Sequence, residues 1–214
     1  MCIFGTFKFL LNFLLTKIYF MKKIIFLFAI FSTTIVFSQK SKLDEGIKLG
    51  IKGGLNVSNL MGDVEDFGIR TSVHIGMLAE IIVSDKFSIQ PELLYSGQGA
   101  TYVGSVPGFK RFKLNYITLP VLAKFPVLKG LYLETGPQVG FLISAKEKTK
   151  DSNDKIKGIK TIDFGLNAGL NYEFKNGVFI QGRYNLGLTD TGATGDANKR
   201  ASNSVIQFSL GCLF

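Results

Sequence analysis

Residues 161–174 read TIDFGLNAGLNYEF, and their even and odd positions belong to two different chemistries. Ile162, Phe164, Leu166, Ala168, Leu170, Tyr172 and Phe174 are apolar. Thr161, Asp163, Gly165, Asn167, Gly169, Asn171 and Glu173 are polar or glycine. A period of two predicts a β-strand with one apolar and one polar face. In a soluble sandwich or ligand-binding barrel the apolar face would form the core. In a membrane barrel it would meet lipid, and the polar face would line the interior.

The same alternation recurs along the chain. Ile47, Leu49, Ile51, Leu55 and Val57 share one face, while Lys48, Lys52, Asn56 and Ser58 share the other. Further strands are read at 71–83, 86–98, 111–126, 130–144, 160–174, 177–189 and 203–214, which makes eight. The connections decide between the two architectures. Ser84-Asp85, Leu128-Lys129 and Lys175-Asn176-Gly177 are tight, the last carrying the Asn-Gly hairpin signal. Long polar segments near 59–70, 99–110, 145–159 and 190–202 lie between them. That long–short order is expected of an eight-stranded antiparallel up-and-down transmembrane β-barrel, with short turns and both termini periplasmic and long loops outside. The apolar face is therefore expected to meet lipid. Phe87, Phe112, Phe174 and Phe214 fall near strand ends, where an interfacial aromatic girdle would lie. The glycines Gly50, Gly53, Gly54, Gly165, Gly169, Gly182 and Gly187 suit the tight curvature of a small barrel. Pro91, Pro120 and Pro137 predict bulges or unpaired positions, and around Pro120 the alternation blurs.

Composition limits the alternatives. The 214 residues carry a formal charge of +9, but Lys8, Lys17, Lys22 and Lys23 lie in an acid-free leader. The remainder holds 21 basic against 16 acidic residues, with no basic, aromatic-interleaved stripe for nucleic acid. From Met21 the chain reads MKKIIFLFAIFSTTIVFSQK, two lysines followed by an apolar run and small residues. This is the order of a secretory signal cleaved before Gln39, so 1–38 is read as an upstream extension plus signal and 39–214 as the barrel domain. Cys212 is then the one cysteine of the processed chain, and no internal disulfide forms.

The opening strand KLGIKGGLN resembles the PorT-type outer-membrane β-barrel proteins of Bacteroidetes. So do FSIQPELLYSGQGA, LNYITLPVLAKF, LYLETGPQVGFLIS and the closing strand ending in Phe214. The resemblance spans nearly all of the processed chain and implies an outer-membrane location. It also implies lipid and the barrel-insertion machinery as partners, with secretion-system or surface proteins as further candidates. Phe214 looks like the carboxy-terminal insertion signal of such barrels. The implied role is structural, surface-interacting or associated with secretion and assembly.

By parity the polar face collects Lys48, Lys52, His74, Glu80, Gln90, Glu92, Glu134, Gln138, Asp163, Glu173, Gln181 and Arg183. An eight-stranded barrel is just wide enough for its side chains to fill it, so ion pairs plugging the lumen are expected rather than a pore. No catalytic, cofactor-binding or metal-ligating set is read from the chain. His74 could join Ser72 and a loop acid in a lipid-acyl enzyme, a minor alternative beside a periplasmic lipocalin-like binder. The loop AKEKTKDSNDKIKGI, residues 145–159, is either a solvated loop or, if extracellular, a site for lipopolysaccharide phosphates or another acidic ligand.

Overall fold

In the computed structural model of the chain, residues 46–63, 67–102, 110–148, 153–155, 158–192 and 200–214 are described; the leader and its cleavage site lie outside them. Eight long strands follow one another: β1 Ile47–Gly62, β2 Arg70–Ser84, β3 Phe87–Tyr102, β4 Lys110–Leu128, β5 Leu131–Lys148, β6 Ile162–Glu173, β7 Val178–Gly187 and β8 Ala201–Leu213. Each pairs antiparallel with the next, and β8 returns to β1, so the sheet closes. Two short strands extend the wall beyond the long connections. Phe67–Gly68 pairs with the end of β3, and Asn153–Lys155 with the end of β5. Closure leaves no row of unpaired amides and carbonyls facing lipid, which offers them no partner.

The apolar face is outside. Leu166, Phe208 and Leu210 are 48%, 58% and 61% exposed, whereas the alternating Asn167, Asn171 and Gln181 are at most 4% exposed. A lipocalin-like barrel needs the reverse arrangement, and these facings overturn that alternative. Strand lengths of up to 19 residues also exceed the roughly 9–11 that cross a bilayer, so β4 and β5 project past it.

Inward glycines let large side chains meet across a strand. Gly50 stands in register between Leu78 and Leu213, and Gly54 between His74 and Ser209. Lys52, between them on β1, is flanked by Gly76 and Gly211. Large faces small in alternate rows, as a tightly curved wall requires. A Cβ at Gly54 would fall 1.9 Å from the Phe208 carbonyl oxygen, and one at Gly76 2.0 Å from that of Leu93. Gly53 and Gly182 sit on the outer face instead, and a Cβ at Gly182 meets nothing within 4 Å.

The prolines interrupt the ladder without shifting it. Pro91 pairs with Val121 on the following strand, but pairing to β2 stops between Leu78↔Glu92 and Ile81↔Ile89. Pro120 pairs with Gln138 and breaks the β3–β4 ladder; Pro137 pairs with Leu166 and breaks the β4–β5 ladder. Each missing N–H thus faces the preceding strand. The three gaps run diagonally across adjacent strands. A bulge does occur farther along β5, where Asn115↔Ser144 and Tyr116↔Leu142 leave Ile143 as an extra residue.

The girdle reading holds in part. Phe87 stacks near Phe125 at 5.4 Å and Phe174 near Tyr172 at 5.0 Å. Phe112 belongs to the inner face instead. It lies opposite Ala100 and edge-on to Phe67, which packs on buried Leu60, Ala100 and Ala201.

Two substitutions test the facing. Leu166→Arg, on the lipid side, is expected to cost about 2–4 kcal/mol in a urea titration in lipid vesicles, and Asn167→Ser much less. Gly54→Val should prevent the SDS-resistant folded band that is lost on boiling, while Gly182→Val leaves it intact.

Candidate functional site

The polar side chains meet in tiers inside the barrel. The most buried tier is built on Arg183 from β7. Its Nη1 donates to Glu92 Oε2 and its Nη2 to Glu92 Oε1, both at 2.8 Å, a bidentate pair across the lumen. Nη2 also reaches Glu134 Oε2 at 3.2 Å. Gly169 lies in register between Glu134 and Arg183, so no side chain separates them. Lys52 Nζ completes the tier, 2.8 Å from Glu92 Oε2 and donating to Gln181 Oε1 at 2.9 Å. Gln181 Nε2 in turn donates to Glu134 Oε2 at 2.7 Å, and Gln90 Nε2 to Glu92 Oε1 at 2.8 Å. Two cations and two carboxylates are thus interleaved, with their side chains at most 1% exposed.

A second tier lies toward the tight turns. Lys124 Nζ is paired with Glu173 and, at 3.1 Å, with Glu80, and lies 4.5 Å from the Tyr132 ring centre. Ser88 Oγ donates to Glu80 Oε1 at 2.9 Å. Lys48 stands at the mouth, half exposed and 4.0 Å from Glu80 Oε2, beside a cavity of about 130 Å³ that Lys48, Glu80, Lys124 and Tyr132 help to line. Beside Gly50, between the Lys48 and Lys52 rows of β1, Leu78, Phe179 and Leu213 form an apolar cluster alongside the charged tiers.

The next level toward the long connections is neutral, and beyond it Arg70 and Asp163 are buried on the inner face. His74 Nδ1 is 2.7 Å from Asn56 Oδ1, and its Nε2 is 2.8 Å from Ser209 Oγ. Asn56 Oδ1 is a carbonyl oxygen that also accepts from Gln207 Nε2, so His74 donates to it through Nδ1, and the Ser209 hydroxyl beside Nε2 also donates to Gln181 Oε1 at 3.2 Å. The order Ser–His–Asn is that of a hydrolytic triad, but Asn56, His74 and Ser209 are 0%, 1% and 6% exposed. Ser72 is not part of it: its hydroxyl donates to the Gly97 carbonyl at 2.6 Å. Among the described residues no loop acid bonds His74, and no group of three or more His, Cys, Asp or Glu side chains could hold a metal. Farther along, Asn203 Nδ2 donates to Asp163 Oδ2 at 3.0 Å, and Leu60, Ala100 and Ala201 with Phe67 make a second apolar layer. Outside the membrane-crossing strands, Asp190 accepts from the Ala201 and Gly192 amides and from Lys160 Nζ. The Ala201 amide above all, and then Lys160, hold its carboxyl at about 2.

The structure therefore turns Lys52, Glu80, Glu92, Glu134, Asp163, Glu173 and Arg183 inward and places Lys48 at the mouth. Asp163 stands apart from the two ion-pair tiers. Lys124 was not legible in the sequence. Its inward row on β4 is Leu114, Tyr116, Thr118, Pro120 and Leu122, mostly apolar, so parity there gives no polar face. Asn56 was legible as an inward position but not as a partner of His74, and Ser209 comes to it across Gly54 from β8.

A closed eight-stranded sheet with apolar wall and ion-paired lumen defines a small transmembrane β-barrel. The chain belongs to the family described as "Outer membrane protein beta-barrel domain", whose match covers residues 37–192. Its fold is similar to that of Neisserial surface protein A, with 14% identity and a TM-score of 0.52 over 79% of this chain and all of that one. Ail, the attachment invasion locus protein of Yersinia pestis, is similar at 13% identity and a TM-score of 0.50, over 80% of this chain and all of that one. No curated protein matches the chain.

Arg183→Met strands Glu92 and Glu134 and is expected to cost about 3–5 kcal/mol, because each carboxylate is left buried with fewer partners. Adding Glu92→Gln should restore part of that loss. Urea unfolding of the two variants in lipid vesicles checks the coupling.

Proposed function

We propose that this outer-membrane barrel is a non-conducting anchor that acts through its long-connection rim, in surface interaction or in secretion and assembly at the membrane. The observation that carries the reading is the lumen. Two ion-paired tiers fill it, with one apolar cluster beside them and another toward the long connections. A solute would have to part paired charges taken out of water, at a cost of several kcal/mol for each ion left alone. The long connections face the cell exterior and the tight turns and termini the periplasm, in line with the usual plan of such barrels. Phe214 serves as the insertion signal read by the barrel-insertion machinery. It is 56% exposed, and its amide pairs with the Leu49 carbonyl at 2.8 Å, so the last side chain is presented on the outer face. The PorT-type resemblance makes secretion-system or surface proteins the partners to seek.

A second reading, a lipid-modifying enzyme centred on His74, is favoured by the Ser209–His74–Asn56 order alone. It requires hydrolysis of a lipid ester that vanishes in His74→Ala while the barrel stays folded.

The test of the first reading is electrical. Purified protein inserted in planar bilayers is expected to give no sustained channel openings across pH 5–8. Steady single-channel steps from the wild type would overturn the anchor reading.

A further inference from the structure

The two carboxylate oxygens of Glu80 keep different company. Oε1 accepts from Ser88 Oγ at 2.9 Å and pairs with Lys124 Nζ at 3.1 Å. Oε2 is buried and has no hydrogen-bond partner among the described residues. The cation facing it is Lys48, directly opposite Glu80 on the β1–β2 ladder, whose Nζ stops 4.0 Å away. That is too long for a hydrogen bond, and a buried oxygen without a donor is costly.

Both side chains line the cavity of about 130 Å³ at the tight-turn mouth, which has the volume of about four waters. Ile82, Pro126 and Tyr132 supply apolar walls, and the exposed Ser84 and Asp85 stand at its rim. The charges around it disfavour an ion of either sign. A cation would meet Lys48 and Lys124, and an anion would meet Glu80 and Asp85. Lys124 is already engaged by Glu80, Glu173 and the Tyr132 ring. Lys48 is therefore the donor that the cavity offers, and Glu80 Oε2 the acceptor. The ligand that fits is neutral and carries a hydrogen-bond donor and acceptor on neighbouring atoms. Two adjacent hydroxyls of a sugar meet that demand. One donates to Glu80 Oε2 and the other accepts from Lys48 Nζ, and the 4.0 Å gap leaves both bonds at ordinary length. The carbon–hydrogen edge of the ring then lies against Tyr132 and Pro126. A single water could bridge the two charges but would leave those apolar walls uncovered.

We propose that the tight-turn mouth binds the edge of a sugar through two neighbouring hydroxyls, held between Lys48 and Glu80. The site lies on the rim opposite the long connections and goes beyond the anchor reading. It needs no passage through the lumen, because the ion-paired tiers lie behind it.

The test titrates the full processed chain, isotope-labelled for NMR and folded in detergent micelles, with methyl α-mannopyranoside. An SDS-resistant band that is lost on boiling first shows that the barrel has formed, which separates failure of this site from failure of the barrel itself. The amide signals of Lys48, Glu80 and Tyr132 should shift together and saturate. Lys48→Met, at a half-exposed position, should keep the folded band and weaken binding about tenfold, through loss of one charge-assisted hydrogen bond. Lys129→Gln, on a neighbouring tight turn outside the cavity, should bind as wild type. The trans vicinal diol of cyclohexane should compete with the sugar, and cyclohexanol, with its single hydroxyl, should not. The proposal fails if folded wild type shows no saturable shift, which would leave the cavity to water. It also fails if Lys48→Met binds as tightly as wild type, or if propionamide or propylammonium displaces the sugar at equal concentration.

Discussion

The bidentate contact between Arg183 and Glu92 sets the terms for the rest of the barrel. Two full charges held away from water are tolerable only when the geometry is good and their remaining hydrogen-bonding groups are occupied. Glu134, Lys52, Gln181 and Gln90 supply those partners, each from a different part of the wall. None of them could reach the centre if every inward position carried a side chain. The pairing therefore depends on the glycines beside it: Gly169 between Glu134 and Arg183, and Gly76 and Gly211 on either side of Lys52. Charge and curvature are solved by the same residues. The stretch that alternates most cleanly in the sequence, 161–174, contributes Gly169 for that reason.

Much of this was legible before the structure. Strict alternation in β1 and β6, and the rhythm of tight and long connections, gave eight strands and their facings, because a side-chain period of two leaves one polar face and one apolar face. What could not be read is what depends on neighbours. Lys124 hides in a row whose inward residues are mostly apolar, since Leu94, Leu114 and Leu122 fill the lumen there as charge does elsewhere. His74 suggested Ser72, two residues away, yet its partners come from β1 and β8. Phe112 looked like a girdle residue from its place at a strand end, but parity turns it inward against Phe67. The bulge at Ile143 leaves no local signature, and everything beyond it on β5 changes face.

The two rims are consequently unlike. At the tight turns the charged tier lies close to the mouth, with Lys48 half in water and Lys124 behind it. At the other end the strands run on past the membrane and an apolar layer lies inside. The inside of the barrel is thus occupied by its own maintenance, which leaves the two rims as the surfaces available to the surroundings.

The prolines bear on how such a wall comes apart. The join between the first and last strands runs from Gly50↔Leu213 to Gly62↔Ala201 without a break, whereas three neighbouring interior ladders each lose pairs beside a proline. A cylinder sealed this way is well zipped at the joint between its first and last strands and weakest in the three ladders between β2 and β5. Force or heat would then open the wall at one of those ladders, leaving a single sheet still fastened where the termini meet, rather than unrolling the strip from its ends.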